Sequence, residues 1–210
     1  MQLYVLAGGG YVANSYLLES NGHAILVDPS LSPEDVQRET DGRLPTIDTI
    51  LLTHAHFDHL LFLTEWRQKT GAPVAVHEYE ADALSDPYKT AFAQFLGRQD
   101  VFAPPEICLK DGSVLSFGTE RATVLHTPGH TVGSICLLTD GHILTGDTVF
   151  TDGNYGRTDL WSGDETALFG SIARLVEYSD ALSSQGLSCR MYPGHGASGD
   201  FYREMRCFIQ

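Results

Sequence analysis

Four metal-capable side chains fall within six positions in Thr53-His54-Ala55-His56-Phe57-Asp58-His59-Leu60, directly behind the apolar run 47–52. Imidazole and carboxylate suit zinc, iron or manganese. In an extended segment side chains repeat with period two, so His54, His56 and Asp58 are expected to lean to one side and His59 to the other. One short loop could then serve two ions. Three more ligand-type residues each follow an expected strand and sit beside a glycine: His130 in Thr127-Pro128-Gly129-His130-Thr131, Asp147 in Thr145-Gly146-Asp147-Thr148, and His195 in Tyr192-Pro193-Gly194-His195-Gly196. A residue without Cβ lets the backbone turn sharply and approach an ion closely. Each of these alone reads as a turn residue. With the first cluster they make seven candidate ligands, which suits two adjacent ions bridged by one carboxylate.

In this order the residues resemble the hallmark of the metallo-β-lactamase superfamily, His-x-His-x-Asp-His followed by a His, an Asp and a His, over most of the chain. Within it, Thr-Pro-Gly-His-Thr-x-Gly-Ser at 127–134, Thr-Gly-Asp-Thr-Val-Phe at 145–150 and Gly-Arg-Thr-Asp-Leu at 156–160 are similar to glyoxalase II-like thioester hydrolases. Persulfide dioxygenases carry similar segments. The resemblance implies that His54, His56 and His130 hold one metal, that Asp58, His59 and His195 hold a second, and that Asp147 bridges them. It also implies substrate contact by a basic residue near Arg157. The chain departs from the family pattern twice. Leu60-Leu61-Phe62-Leu63 stands where many members have small residues, which implies a tighter, more apolar rim. Only fifteen residues, 196–210, follow His195, where glyoxalase II proper has a helical glutathione-binding domain, which argues against glutathione as the thiol.

The chemistry expected is hydrolysis of small thioesters by a hydroxide bridging two divalent ions roughly 3.5 to 4 Å apart, zinc foremost, with iron or manganese as alternatives. A thiolate leaving group, with a thiol pKa near 8.5, needs little protonation, so a site without an obvious general acid suits thioesters better than amides. Asp58 could hold the hydroxide's proton as well as ligate. Arg157 is either an anionic anchor for substrate or half of a bracing pair with Asp159. Three other readings stand beside this one. They are a mononuclear-iron persulfide dioxygenase using His54, His56 or His130 with Asp147, a lactone or ester hydrolase of the same superfamily, and a metal-binding module without turnover. His23, His77, His126 and His142 lack a partner cluster and read as core or surface residues.

The elements that must position these ligands follow from periodicity and punctuation. Strands are expected at 3–6, 14–18 and 24–27, with Asn21-Gly22 as a type I′ hairpin signal. Gly8-x-Gly10-x-x-Ala13 formally matches a dinucleotide fingerprint, but a strand rather than a helix follows it. Ser32-Pro33-Glu34-Asp35 opens a short helix to about residue 40. Strand 47–52 delivers the first motif, and a helix over 60–69 ends at Gly71. Strand 74–76 and a short helix over 78–84 come next. Segment 86–105 reads as a packed helix or a substrate lid. Strands at 114–117, 121–125, 134–138 and 143–144 form a second sheet, an amphipathic helix covers 165–178, and strand 190–192 brings in His195. Residues 1–210 read as a single α+β domain; the αββα sandwich, two sheets face to face between helices, is what the resemblance implies.

The partner that the resemblance implies is a small-molecule thioester or ester, and the charge agrees with that. The formal net charge is -14 and the pI about 4.8, which disfavours nucleic acid and anionic membrane, since those surfaces need Lys and Arg patches. No twenty-residue apolar span or basic-apolar leader occurs, so a cytoplasmic location is expected. Cys108, Cys136, Cys189 and Cys207 show no C-x-x-C spacing and read as reduced thiols.

Overall fold

The computed structural model describes residues 1–209. Six strands in sequence order make a first sheet: β1 (Gln2–Leu6), β2 (Ser15–Ser20), β3 (His23–Val27), β4 (Thr46–Leu51), β5 (Val74–His77) and β6 (Ile107–Leu109). The first three pair antiparallel and the last four parallel. Asn21 and Gly22 both have positive φ, 52° and 79°, as the I′ turn between β2 and β3 requires. The second sheet has the order β12-β11-β10-β9-β8-β7, from β7 (Val114–Phe117), β8 (Glu120–His126), β9 (Ile135–Thr139), β10 (His142–Gly146), β11 (Arg190–Pro193) and β12 (Gly199–Asp200). Both sheets are mixed.

Alternation along the strands builds the layers. In β2 and β3, Tyr16, Leu18, Ile25 and Val27 face Phe117, Val124, Ile135, Leu137 and Leu144 of the second sheet, forming the core between the sheets. Leu17, Leu26, Ile50 and Leu52 point the other way, onto Val36 of α1 (Pro33–Glu39) and Leu63 and Trp66 of α2 (Leu63–Thr70). On the far side, Leu125, Cys136, Ile143 and Met191 pack on the later helices, the long α4 (Glu165–Ser184) and α5 (Phe201–Arg206). The result is the α+β arrangement of two face-to-face sheets between helices. No helix among the described residues is long and apolar enough to cross a membrane. All four cysteines are free thiols.

Three expectations need correction. The helix expected over 60–69 begins only at Leu63, because a 3-10 turn, Phe57–His59, takes up the chain behind the metal motif. Segment 86–105 is not one helix. It holds only α3 (Phe92–Leu96), bracketed by the left-handed residues Ala91 and Gly97, with Phe92 buried and Phe95 exposed. The long helix α4 runs six residues past the expected 178, since Ser179 and Leu182 continue its packed face. β12 and α5 gave no periodic signal in so short a stretch.

Candidate metal centre

Strand directions gather the ligands at one edge. β8 and β10 both run antiparallel to β9, hence parallel to each other, and β11 runs parallel to β10. The loops leaving β8, β10 and β11, which carry His130, Asp147 and His195, therefore emerge together. β4 delivers His54 and its neighbours from the first sheet, and Ile135 N–H donates to the Thr53 carbonyl at 3.0 Å to join the sheets there. Asn14 holds the last loop: its backbone N–H donates to Gly194 O at 2.7 Å, and its side-chain amide donates to the carbonyls of Pro193 and Gly196. Gly194 must be glycine. A Cβ there would lie 2.1 Å from Asp147 Oδ1 and 2.8 Å from His59 Cε1, so the bare backbone is what lets the β11 loop close over the cluster.

All seven expected ligands meet. His130 Nε2 lies 2.9 Å from His56 Nδ1 and 3.1 Å from His54 Nε2, and these three form one potential metal set. His195 Nε2 is 3.1 Å from Asp58 Oδ2, and with His59 they form a second. Asp147 lies between the sets, with Oδ1 3.2 Å from His59 Nε2 and Oδ2 3.7 Å from His130 Nε2 and 3.6 Å from His195 Nε2. The period-two expectation fails at its far end. The 3-10 turn at Phe57–His59 swings Asp58 away from His54 and His56 and places it with His59 and His195.

Hydrogen-bond chemistry fixes which ring nitrogens face inward. His130 Nδ1 sits 2.7 Å from the Arg157 carbonyl, which can only accept, so Nδ1 carries the proton and Nε2 presents a lone pair. His59 Nδ1 donates likewise to Asp28 Oδ2 at 2.8 Å. Thr53 Oγ1 donates to Asp28 Oδ2 and so accepts from His54 Nδ1 at 3.2 Å, again turning Nε2 inward. The Nε2 lone pairs of His130 and His54 thus face each other, with His56 Nδ1 directed at the same point. His59 Nε2 and Asp147 Oδ1 are buried and without a hydrogen-bond partner, a state that costs roughly 1–3 kcal/mol per group. A pair of divalent cations is what this donor set fits.

Burial, joined by the neighbouring imidazoles, holds His54 well below the ordinary histidine range and pushes His56 down to about 3, which disfavours charge on both rings. The other set is acidic. Burial opposes charge on His59, but the carboxylates of Asp147, Asp28 and Asp58 outweigh it and raise its pKa well above the usual value. Burial likewise opposes ionisation of Asp147, which the surrounding histidines nonetheless keep well below the carboxylate range. Three carboxylates thus crowd around His59, a charge that a cation would balance.

A cavity of about 360 Å³ opens onto the cluster, its floor formed by His56, Asp58, His130, Asp147 and His195 and its wall by Tyr11, Phe57, Phe95, Phe150 and Leu160. Phe57 and Phe95 stack at 5.5 Å and Tyr11 tilts against Phe57 at 5.8 Å. The apolar rim expected from Leu60-Leu61-Phe62-Leu63 is instead core, because Leu60 and Leu63 are buried and Leu61 and Phe62 pack against that core. Arg157 lines the cavity and pairs with Asp159 through two hydrogen bonds, 2.6 and 2.7 Å, with its guanidinium 5.5 Å from the centre of the Phe95 ring. Sequence reasoning missed Asp28, Tyr11 and Phe95. Only Asp28 left a trace, as a carboxylate ending a strand whose parallel neighbour carries Thr53. His77 and His126 stack on each other at 4.0 Å outside both ligand sets.

Residues 8–181 match the metallo-beta-lactamase superfamily. A probable metallo-hydrolase of Methanocaldococcus jannaschii is 31% identical over 205 residues, covering 93% of each chain. The crystal structure of BLEG-1 B3 metallo-beta-lactamase superposes with a TM-score of 0.83 at 30% identity, over 98% of this chain and 97% of the other. A protein crystallised in a di-iron-bound form, TTHA1623, is also 30% identical, with a TM-score of 0.77 over 97% of this chain and 98% of that one. With the converging histidines and carboxylates already in place, these likenesses settle the family: the chain belongs to the metallo-beta-lactamase superfamily, as a metallo-hydrolase.

Proposed function

We propose that the protein hydrolyses small thioesters with two divalent ions, one held by His54, His56 and His130, the other by Asp58, His59 and His195, with Asp147 shared between them. The observation that supports this most is the inward convergence of the His54, His56 and His130 ring nitrogens beside a buried carboxylate, Asp147, whose Oδ1 lacks a hydrogen-bond partner. When bound, the ions would activate a water, polarise the substrate carbonyl and offset the charge that develops on its oxygen. Zinc suits a His-and-carboxylate set, and iron is the alternative on the precedent of the di-iron relative.

The chain's own residues do the rest. Asp58 is partly open to the cavity, and its Oδ2 faces His195 Nε2. As a carboxylate on the cavity, Asp58 would take a proton from the attacking water. The acyl group would lie against Tyr11, Phe57 and Phe95, which exclude water from that side. Outside the ligand cluster, the polar side chains on the cavity are the phenol of Tyr11 and Arg157, engaged by Asp159. A site with so little proton-donating power favours a leaving group that departs as an anion, and a thiolate does. The test assays one metal-loaded preparation against a short neutral thioester, S-lactoylglutathione, a lactone, and glutathione persulfide with oxygen monitored. Thioester cleavage, fastest on the neutral substrate, is the expected result. Oxygen uptake without thioester cleavage would replace this reading with the dioxygenase.

A further inference from the structure

Glu80 is almost wholly buried, yet it belongs to neither metal set. It lies in the 3-10 segment Glu78–Ser85 that follows β5, and its two carboxylate oxygens go to two different sheets. Oε2 accepts from the backbone N–H of Ala55 at 3.0 Å, and Oε1 accepts from that of Gly133 at 2.9 Å. Ala55 stands between His54 and His56 in the loop leaving the first sheet. Gly133 lies in the loop that carries His130 and enters β9 of the second. One carboxylate therefore spans the two loops whose three histidines make up a single set.

The fit is tight on the Gly133 side. A Cβ there would lie 2.5 Å from Glu80 Cγ and 3.1 Å from its Oε1. Gly133 has no left-handed backbone that would itself demand glycine. Its missing side chain is thus explained by the close approach of Glu80. The Asp58–His59–His195 set shares the Ala55 loop, but His59 and the His195 loop are held by Asp28 and Asn14, and Glu80 makes no hydrogen bond to the loop that carries His195.

We propose that Glu80 is a positioning residue for the three-histidine set: by accepting from Ala55 and Gly133 it fixes the spacing between the His54–His56 loop and the His130 loop, and so sets the affinity of that one ion without touching it. The proposal rests on the reading that these histidines hold a metal. It implies site selectivity, because a residue that only stabilised the fold would weaken both sets alike or neither.

The test loads wild type, Glu80→Gln, Gly133→Ala and His195→Ala with Co(II), and follows visible absorption and chelator competition. Glu80→Gln replaces one acceptor by an N–H that opposes a backbone N–H. Gly133→Ala crowds the same carboxylate from the other side and serves if the first variant fails to fold. In each, one of two Co(II) ions should bind about tenfold or more weakly, the order expected when a ligand's outer support is lost, with its absorption band altered and the other ion unchanged. His195→Ala should show the complementary loss. Two ions bound at wild-type affinity in both Glu80→Gln and Gly133→Ala would overturn the proposal, as would equal weakening of both ions. A single wild-type ion that disappears in His195→Ala and is indifferent to the other two variants would overturn it together with the two-metal reading. A single ion that survives in His195→Ala but weakens in Glu80→Gln and Gly133→Ala would sink the two-metal reading alone.

Discussion

The two ligand sets sit side by side but are built on opposite principles. His54, His56 and His130 are all imidazole and all buried, and burial disfavours charge on His54 and His56. In the other set His59 is fully buried, but the side chains of Asp58 and His195 remain 15% and 30% exposed at the cavity. Its carboxylate Asp58, backed by Asp28 behind His59 and by the shared Asp147, brings the negative charge that the first set lacks. An ion in the first set would be held by geometry, and an ion in the second by charge, where substrate and water reach it. Asp147 is what couples the two, and removing it should erase the difference. Asp147→Asn is therefore the substitution with the largest expected effect. Turnover should fall by about a hundredfold or more, while circular dichroism stays unchanged. Near wild-type activity would place the shared carboxylate elsewhere.

A smaller effect is expected at Asp28, which holds His59 directly and reaches His54 only through the Thr53 hydroxyl. Asp28→Ala removes the acceptor for His59 Nδ1–H and for the Thr53 N–H. Affinity for one ion should drop by about 10- to 100-fold, and stability by roughly 1–3 kcal/mol as the Thr53 donor is orphaned. Metal titration and denaturant unfolding measure the two separately. Loss of both ions together would mean that the sets are not independent.

How much of this was legible in the sequence follows from what made each part. The seven ligands could be read because metal chemistry restricts residue type and because each follows a strand and, after the first motif, a glycine. The layers could be read from alternation, as in Tyr16, Leu17 and Leu18. The side of the loop on which Asp58 falls could not, since the 3-10 turn at Phe57–His59 breaks the period that an extended strand would keep. Asp28 and Glu80 act across long stretches of chain. Asp28 meets Thr53 because β3 and β4 pair in parallel with Val27 beside Leu51, and nothing local marks that. Tyr11 and Phe95 reach the cavity from a glycine-rich turn and a five-residue helix whose own pattern was too short to show a face.

The smallest effect is expected at the rim. Arg157 is half exposed and already paired with Asp159, and such pairs contribute little in water. Arg157→Lys should change kcat/KM on a neutral thioester by less than about fivefold. A KM that rises on acidic thioesters alone would make the arginine an anchor for substrate, whereas an equal shift on both would leave it a brace for the loop that receives His130 Nδ1–H.

The contrast between an all-imidazole set and a carboxylate-bearing, more exposed one stands or falls on how many ions the protein holds and where. Elemental analysis after metal loading and removal of loosely bound ions should find two divalent ions per chain in the wild type and one in His195→Ala, with the remaining ion resisting chelators longer than the one lost. A single ion per chain in the wild type that persists unchanged in His195→Ala would contradict the account.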